Sequence, residues 1–375
     1  MFSKRNPMKY FSGNAFARLP LYKLVAGGSA VVLTASIGLG AFAAGVAPFN
    51  LPTATPAPVV TATPETAATP TPSPSPTPSP TPHEHFEILG LVKEKNPQFF
   101  MSMMDVPFSD EDFAVDHYEE QLRVHVLEPL HETYGIDISD KAIRAAIRDH
   151  NEISRVMTEI GDLRKAANPV ITGYEFHVIQ LCTQTCPKDL ILPYLRETLQ
   201  ELRTREPDPK PGYRARVLIA GSEIDDPEFT KMCEMAGGLV VADRYCFGSM
   251  PGREEIPLEE GKDVLQSIAD YYMWRNQCPR AMGPENIIAR KKYIFDLAEK
   301  YRADGIIVEN MKFCEYWGYE RAQDGMWFYE GYELPRSIPV CQIEKDYTSA
   351  ASGQLRTRFQ AFIESLEIKK IQAQQ

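Results

Sequence analysis

The residues best suited to chemistry in this chain are its cysteines. Cys182, Cys186, Cys233, Cys246, Cys278, Cys314 and Cys341 lie between positions 182 and 341, in a body large enough to bury a core unaided. They therefore read as a reduced set, core residues or metal ligands, rather than a disulfide scaffold. Two of them are placed for ligation. Cys246 follows the apolar run Leu239-Val240-Val241-Ala242 by four residues, and Cys314 follows Gly305–Glu309 by five. If both runs are parallel strands, both thiols project from the edge of the sheet where open α/β sheets bind ligands. No histidine occurs after His177, so soft thiolate ligation, as in an iron–sulfur cluster, suits this half better than a His-rich zinc site. Cys233 and Cys341 fall inside a helix and a strand, and Cys278 follows a helix. Cys182 and Cys186 are spaced i, i+4, which can put both on one helix face.

Other groups offer less. Arg356 and Arg358 stand at the start of the last helix beside the same edge, where guanidinium groups and a helix N-terminus attract anions such as phosphates. Exposed helix residues are the equal alternative. Gly221-Ser222-Glu223 makes a turn on which a cofactor could rest, but G-x-G-x-x-G is absent, so nicotinamide binding by that motif is unsupported. Trp317, Tyr319, Trp327, Phe328 and Tyr329 read as packing for the helix after Cys314, with an acyl pocket as the alternative. Tyr118, His125 and His131 read as structural.

The elements that position these residues come in two styles. From Ser109 to Arg205 the pattern is helical: Phe113–His131, Asp140–Asn151 capped by Ser139 and continuing through Ile153–Ala167, then Leu190–Arg205. From Arg216 onward, apolar strands alternate with helices. Val217–Ala220, Leu239–Ala242, Gly305–Glu309 and Pro339–Glu344 are the strands, and Asp226-Pro227 supplies an N-cap and N1 proline for a helix to Ala236. Helices are also expected at Val264–Arg275, Glu285–Ala303, near Tyr319–Tyr332 and at Gln354–Glu367. Continuous apolar strands alternating with helices predict a doubly wound, four-stranded parallel sheet covered on both faces, preceded by a mainly helical section.

Ahead of the body the composition changes. Residues 1–23 carry five basic side chains and no acid, Leu24–Ala47 carries no charge, and residues 52–82 carry eleven prolines. The uncharged run is long enough to cross a bilayer, with its basic flank inside. Ala41-Phe42-Ala43 also fits signal peptidase, so a cleaved signal and a retained anchor both stay open. The proline segment is a polyproline spacer. The expected organisation is residues 1–47 as flank and membrane or signal segment, 48–82 as linker, 83–210 as a helical section and 211–375 as the α/β part. The chain's formal net charge of −11 argues against nucleic acid as a partner.

Three stretches together resemble the 2-hydroxyacyl-CoA dehydratase / benzoyl-CoA reductase family: Leu239–Gly248 with Asp243-Arg244-Tyr245-Cys246-Phe247-Gly248, Ala303–Val308 leading to Lys312-Phe313-Cys314, and Gly353–Glu364. The similarity runs from about Phe99 to Glu367. It implies a [4Fe-4S] cluster held by three cysteines, a homologous partner subunit, an ATP-hydrolysing iron–sulfur activator and one-electron reduction of an acyl-CoA substrate. Cys246 and Cys314 take two of the ligand positions. Family members carry the rest of a first α/β domain and the first ligand ahead of the helical section, where this chain has tether and spacer. The helical section is then a remnant of that domain, the third ligand is missing or is Cys186, and turnover by the chain alone is expected to be lost. A different class, a non-catalytic ligand-binding module tethered outside the membrane, would suit the N-terminus. The address expected for the chain as written is membrane-anchored, with cytoplasmic, as for the family, the alternative.

Overall fold

The computed structural model describes residues 94–95, 100–107, 111–209, 211–250, 254–275, 278–280, 284–320, 338–347 and 352–374. Of these, residues 94–95 and 100–103 fall in one compact unit and the described residues from 104 onward in another. All the elements that follow lie in the latter.

The helical section holds α1 (Asp112–Leu122), a π turn (Arg123–Leu127), α2 (Glu128–Tyr134), α3 (Asp140–Asp162), α4 (Gly173–Thr185) and α5 (Lys188–Thr204). Ser139 caps α3 as its sequence suggests, its hydroxyl accepting from the Ala142 N–H. Ile153, Val156, Met157 and Ile160 of α3 pack against Ile191, Leu195, Leu199 and Leu202 of α5, the i, i+3, i+4 stripes the pattern promised. Between them lies α4, which the pattern did not promise. Phe176, His177, Val178, Ile179 and Gln180 are consecutive and buried, so α4 has no polar face to mark a 3.6-residue period. Its surviving signal is the capping box, with the Thr172 side chain and Glu175 satisfying each other's backbone N–H.

The α/β part runs β1 (Ala215–Gly221), α6 (Pro227–Met235), β2 (Gly238–Arg244), α7 (Val264–Asp270), a π turn (Tyr271–Arg275), α8 (Pro284–Lys300), β3 (Gly305–Met311), β4 (Val340–Lys345) and α9 (Ser352–Ala373). The four strands are parallel, in the order β2-β1-β3-β4. One face packs Val217, Ile219, Val240 and Ile307 against Phe229 and Cys233 of α6 and Phe359 and Ile363 of α9. The other packs Leu218, Ala220, Leu239, Ile306 and Val308 against Leu297 and Ala298 of α8 and Tyr301 just after it. Alternate residues of β1 thus serve opposite cores, which is why Val217–Ala220 are apolar without a break.

One irregularity matters for the site. Val217 pairs with Val240 but Leu218 pairs with Ala242, so Val241 is an extra residue in β2. Val241 and Ala242 consequently both face the α8 side, and the parity of everything after them is reversed. Without the bulge Asp243 would point toward α8; with it, Asp243 points to the opposite face, where Arg164 lies.

The membrane-anchored address is corrected. Among the described residues no helix is long and apolar enough to cross a membrane; the long helices α3 and α9 carry charges such as Arg144, Arg148, Lys369 and Lys370 along their length. Residues 24–47, on which the expectation rested, lie outside the described residues, as do the linker at 48–82 and most of the helix expected near Tyr319–Tyr332. Trp327, Phe328 and Tyr329 fall there too.

Candidate functional site

Because β1 lies between β2 and β3, the chain leaves β1 toward one side of the sheet and later returns to its other side. The crevice at the carboxyl ends of these strands is the place where such sheets bind ligands. Ser222, the first residue after β1, joins all three strand ends. Its N–H donates to the Glu309 carbonyl (3.3 Å) and to Glu309 Oε2 (3.1 Å). Its hydroxyl donates to Glu309 Oε2 at 2.9 Å and accepts from the Met311 N–H at 2.6 Å. Its carbonyl accepts from the Cys246 N–H at 2.9 Å. A Cβ on Gly221 would fall 2.4 Å from the Glu309 carbonyl oxygen, so only glycine lets β1 and β3 approach this closely. The turn singled out in the sequence is therefore a clamp between strand ends.

The loop that carries Cys246 is held from behind by the re-aimed Asp243. Asp243 Oδ1 accepts from Arg164 Nη2 at 2.8 Å, and both side chains are 1% exposed. Its Oδ2 accepts from the Ser249 N–H (2.7 Å) and hydroxyl (2.6 Å). Arg164 lies over the Phe176 ring, 3.7 Å from its centre. Arg244, pointing the other way, donates to the carbonyls of Ser249 (3.1 Å) and Met250 (3.2 Å). The segment from Asp243 to Met250 is thereby closed into a short ring of bonds with Cys246 on it. Gly248 is needed for the closure: a Cβ there would stand 2.5 Å from Tyr245 Cε2 and 2.7 Å from Asp243 Oδ2.

Cys314 sits in a turn after β3, its N–H donating to the Met311 carbonyl at 3.0 Å, and residues 315–320 continue as helix. The residue before it, Phe313, has φ of 70° with its side chain 97% exposed. A bulky residue in the left-handed region is strained, and such strain gathers at functional sites.

Burial pushes the Cys246 thiol up to about 12, and the negative charges of Cys278, Glu223 and Cys314 push the same way, while the Trp317 side chain opposes them. Burial is also the main cause raising the Cys314 thiol; the Trp317 backbone N–H lowers it, and Glu223, Cys278 and Glu309 raise it. Burial raises Glu309 to about 7 against two bonds from Ser222, and its Oε1 is buried without a protein partner. Cys246 and Cys314 thus stand in the loops that follow β2 and β3, on either side of β1, and the charge of Cys278 acts on both thiols. Cys278 follows the second π turn and is held by Arg290, whose guanidinium donates to its carbonyl at 3.3 Å. Its only sequence signal was a loop position beside Pro279. Among the described residues no three His, Cys, Asp or Glu side chains are close enough to hold a single metal ion.

The other candidates lie apart from this group. Cys186 ends α4 and packs with Cys182 against the helical core; its charge is felt by Cys182 and Lys188. Cys233 and Cys341 belong to the core between sheet and α9. Arg356 and Arg358 are exposed in the first turns of α9. The sequence missed Asp243 and Ser249, whose partners lie in segments no local pattern connects.

Residues 83–366 match the model of the 2-hydroxyglutaryl-CoA dehydratase, D-component, family. The chain belongs to that family. It is similar to the (R)-phenyllactyl-CoA dehydratase beta subunit of Clostridium sporogenes, 28% identical over 240 residues that cover 64% of this chain and 61% of the relative. It is also similar to the (R)-2-hydroxyglutaryl-CoA dehydratase subunit beta of Acidaminococcus fermentans, 24% over 283 residues covering 73% and 70%. A benzoyl-CoA reductase subunit from Thauera aromatica is 22% identical over 229 residues covering 60% and 58%. The chain therefore spans less than two thirds of the first of these relatives.

Proposed function

We propose that this protein is the iron–sulfur subunit of a 2-hydroxyacyl-CoA dehydratase or benzoyl-CoA reductase-like enzyme, with a [4Fe-4S] cluster on Cys246 and Cys314 at the carboxyl edge of the sheet. The observation that carries the reading is the pair of thiols at the ends of β2 and β3, tied to one another through Ser222. The donor set fits the group: soft thiols with no imidazole among them suit iron and sulfide. Buried thiols of raised pKa give up their protons when a metal takes them. Bound there, the cluster supplies one electron to the thioester carbonyl of an acyl-CoA.

The chain's own residues then do the positioning. Asp243 and Ser249 fix the Cys246 loop, and Ser222 fixes its distance from the Cys314 turn. Arg356 and Arg358, exposed on α9, are the cations for the CoA phosphates. A homologous second subunit and an ATP-hydrolysing activator complete the enzyme, as the dehydratase and reductase subunits among its relatives suggest. On this reading residues 83–210 are the remnant of a first domain and 211–375 the cluster-bearing one.

Anaerobic loading of the full chain with iron and sulfide tests this. Wild type should retain both and give a paramagnetic signal on reduction, while Cys246→Ser and Cys314→Ser should each lose most of the iron. No iron in wild type, or iron in both variants unchanged from wild type, would remove the reading.

A further inference from the structure

We infer that a cleft between α3, α4 and the start of α5 binds a small organic carboxylate, a monoanion with one compact apolar group, through Lys188 and His150. The inference goes beyond the reading above and does not depend on a cluster. The cleft has a volume of about 260 Å³. His150, Ile153, Ser154 and Met157 line it at i, i+3, i+4 and i+7 on α3, so one helix face supplies both a polar and an apolar wall. Tyr272 of the second π turn and Gly248, in the loop that carries Cys246, line it too.

The charge of the cleft is one-sided. No carboxylate stands among the described residues that line it, and Lys188 does. Lys188 Nζ donates to the Thr183 carbonyl at 2.7 Å, a neutral acceptor that takes one of an ammonium's three donors. Burial lowers Lys188, against the opposing charge of Cys186, so a half-buried cation here gains from an anion beside it. His150 Nε2 is buried without a protein partner, while its ring stands edge-on to Tyr271 with centres 6.0 Å apart. Burial first, and Lys188 second, hold His150 down to about 4, so at neutral pH the ring is uncharged and has one N–H to give. A carboxylate, which only accepts, takes a bond from each of the two nitrogens.

The rest of the wall selects the body of the ligand. Ile153 and Met157 are buried there and cover hydrocarbon. A free phosphate would meet one cation and an apolar floor, and a purely apolar molecule would leave Nε2 unbonded. Benzene fills a cavity of about 150 Å³, so the cleft has room for one ring or a branched chain together with its carboxylate, and not for a nucleotide-sized molecule.

The test adds benzoate to the full chain, with benzamide as its neutral counterpart and inorganic phosphate as the anion without a body. Calorimetry should show saturable binding of benzoate with Kd about 1 mM or below. Benzamide should bind about tenfold or more weakly, because the charged hydrogen bond is lost. At about 10 mM, benzoate should slow trace acetylation of Lys188 by about tenfold, read by mass spectrometry, and leave the exposed Lys369 unchanged. Lys188→Met and His150→Phe should each weaken benzoate by about tenfold or more. Thermal midpoints report whether the variants fold; if they do not, protection of Lys188 in wild type decides alone. No saturable binding and no protection of Lys188 overturns the inference. So does benzamide binding as well as benzoate, phosphate displacing benzoate, or a folded Lys188→Met that binds benzoate unchanged. Each of these readings is made without iron, so its failure is distinct from that of the proposed function.

Discussion

Asp243→Asn separates the scaffold's contribution from the metal's, because Asp243 touches no thiol yet sets the loop that carries one. The carboxylate accepts three bonds, from Arg164 Nη2 and from the Ser249 N–H and hydroxyl. An asparagine has one oxygen in place of two, so its NH2 must face either the guanidinium or the serine donors. The guanidinium, 1% exposed, is then left without a counter-charge, which costs about 3–5 kcal/mol when a buried pair loses one partner. The Phe176 ring and the Val240 carbonyl at 3.4 Å still face Arg164 and soften the loss, so the lower end, about 3 kcal/mol, is expected. Against a total of about 5–15 kcal/mol for a folded domain this is a large fraction. Urea unfolding of the apo protein measures it. Arg164→Met combined with Asp243→Leu buries no charge and should cost much less than the sum of the single changes. Alkylation of Cys246 should also accelerate relative to Cys314 in Asp243→Asn. A loss under about 1 kcal/mol with an unchanged denaturant slope would show that the pair is not what holds this loop.

Three further outcomes follow from the same packing. Gly248→Ala should cost about 1–3 kcal/mol in urea unfolding because the buried Tyr245 ring cannot retreat, whereas Gly353→Ala, with nothing within 4 Å, should gain about 0.4–1 kcal/mol; equal effects would discredit the clash. Burial holds His177 down to about 4 against the opposing charges of Asp243, Asp226 and Asp225, so the unfolded chain binds the extra proton between about pH 6.5 and 4, and stability present above 6.5 is lost as pH falls through that window. The stability gap between wild type and His177→Gln should therefore shrink by on the order of 2 kcal/mol from pH 7 to pH 5, and a gap independent of pH would contradict a neutral buried imidazole. Ser222→Ala should leave Glu309 without its hydroxyl partner and the Met311 N–H unbonded, costing about 1–3 kcal/mol; an unchanged melting curve would show that the strand ends do not depend on the clamp.

The strands were legible because burial on both faces forces continuous apolar runs, and Val217–Ala220 and Leu239–Ala242 carry no other message. The cap at Ser139 and the Asp226-Pro227 start were legible because a helix's first orphan N–H groups are satisfied locally. The helix at α4 was hidden because Glu175–Gln180 are buried one after another, and the extra Val241 was hidden because a bulge is a relation between two strands. Cys246 and Cys314 could be chosen from strand ends alone. Asp243 read as part of a family motif without showing which face it would take.

That reversal of face connects the fold to the proposed chemistry. A strand of regular parity would present Asp243 to α8 and leave Arg164 buried without its counter-charge and Ser249 without its carboxylate. The single extra residue in β2 instead sends Asp243 to Arg164 and sends Arg244 to the opposite side, where it binds the carbonyls of Ser249 and Met250. The Cys246 loop is gripped from both faces of the sheet at once, by a carboxylate on one and a guanidinium on the other. A loop fixed in this way would present its thiol to the proposed cluster without reorganising, and the third anchor, from Cys246 N–H to Ser222, sets the place of Cys246 relative to β1 and β3. The arrangement explains why Asp243-Arg244-Tyr245-Cys246-Phe247-Gly248-Ser249 behaves as a unit: the acid, the base, the glycine and the serine each close one bond of the ring, and the cysteine is the residue the ring leaves for chemistry.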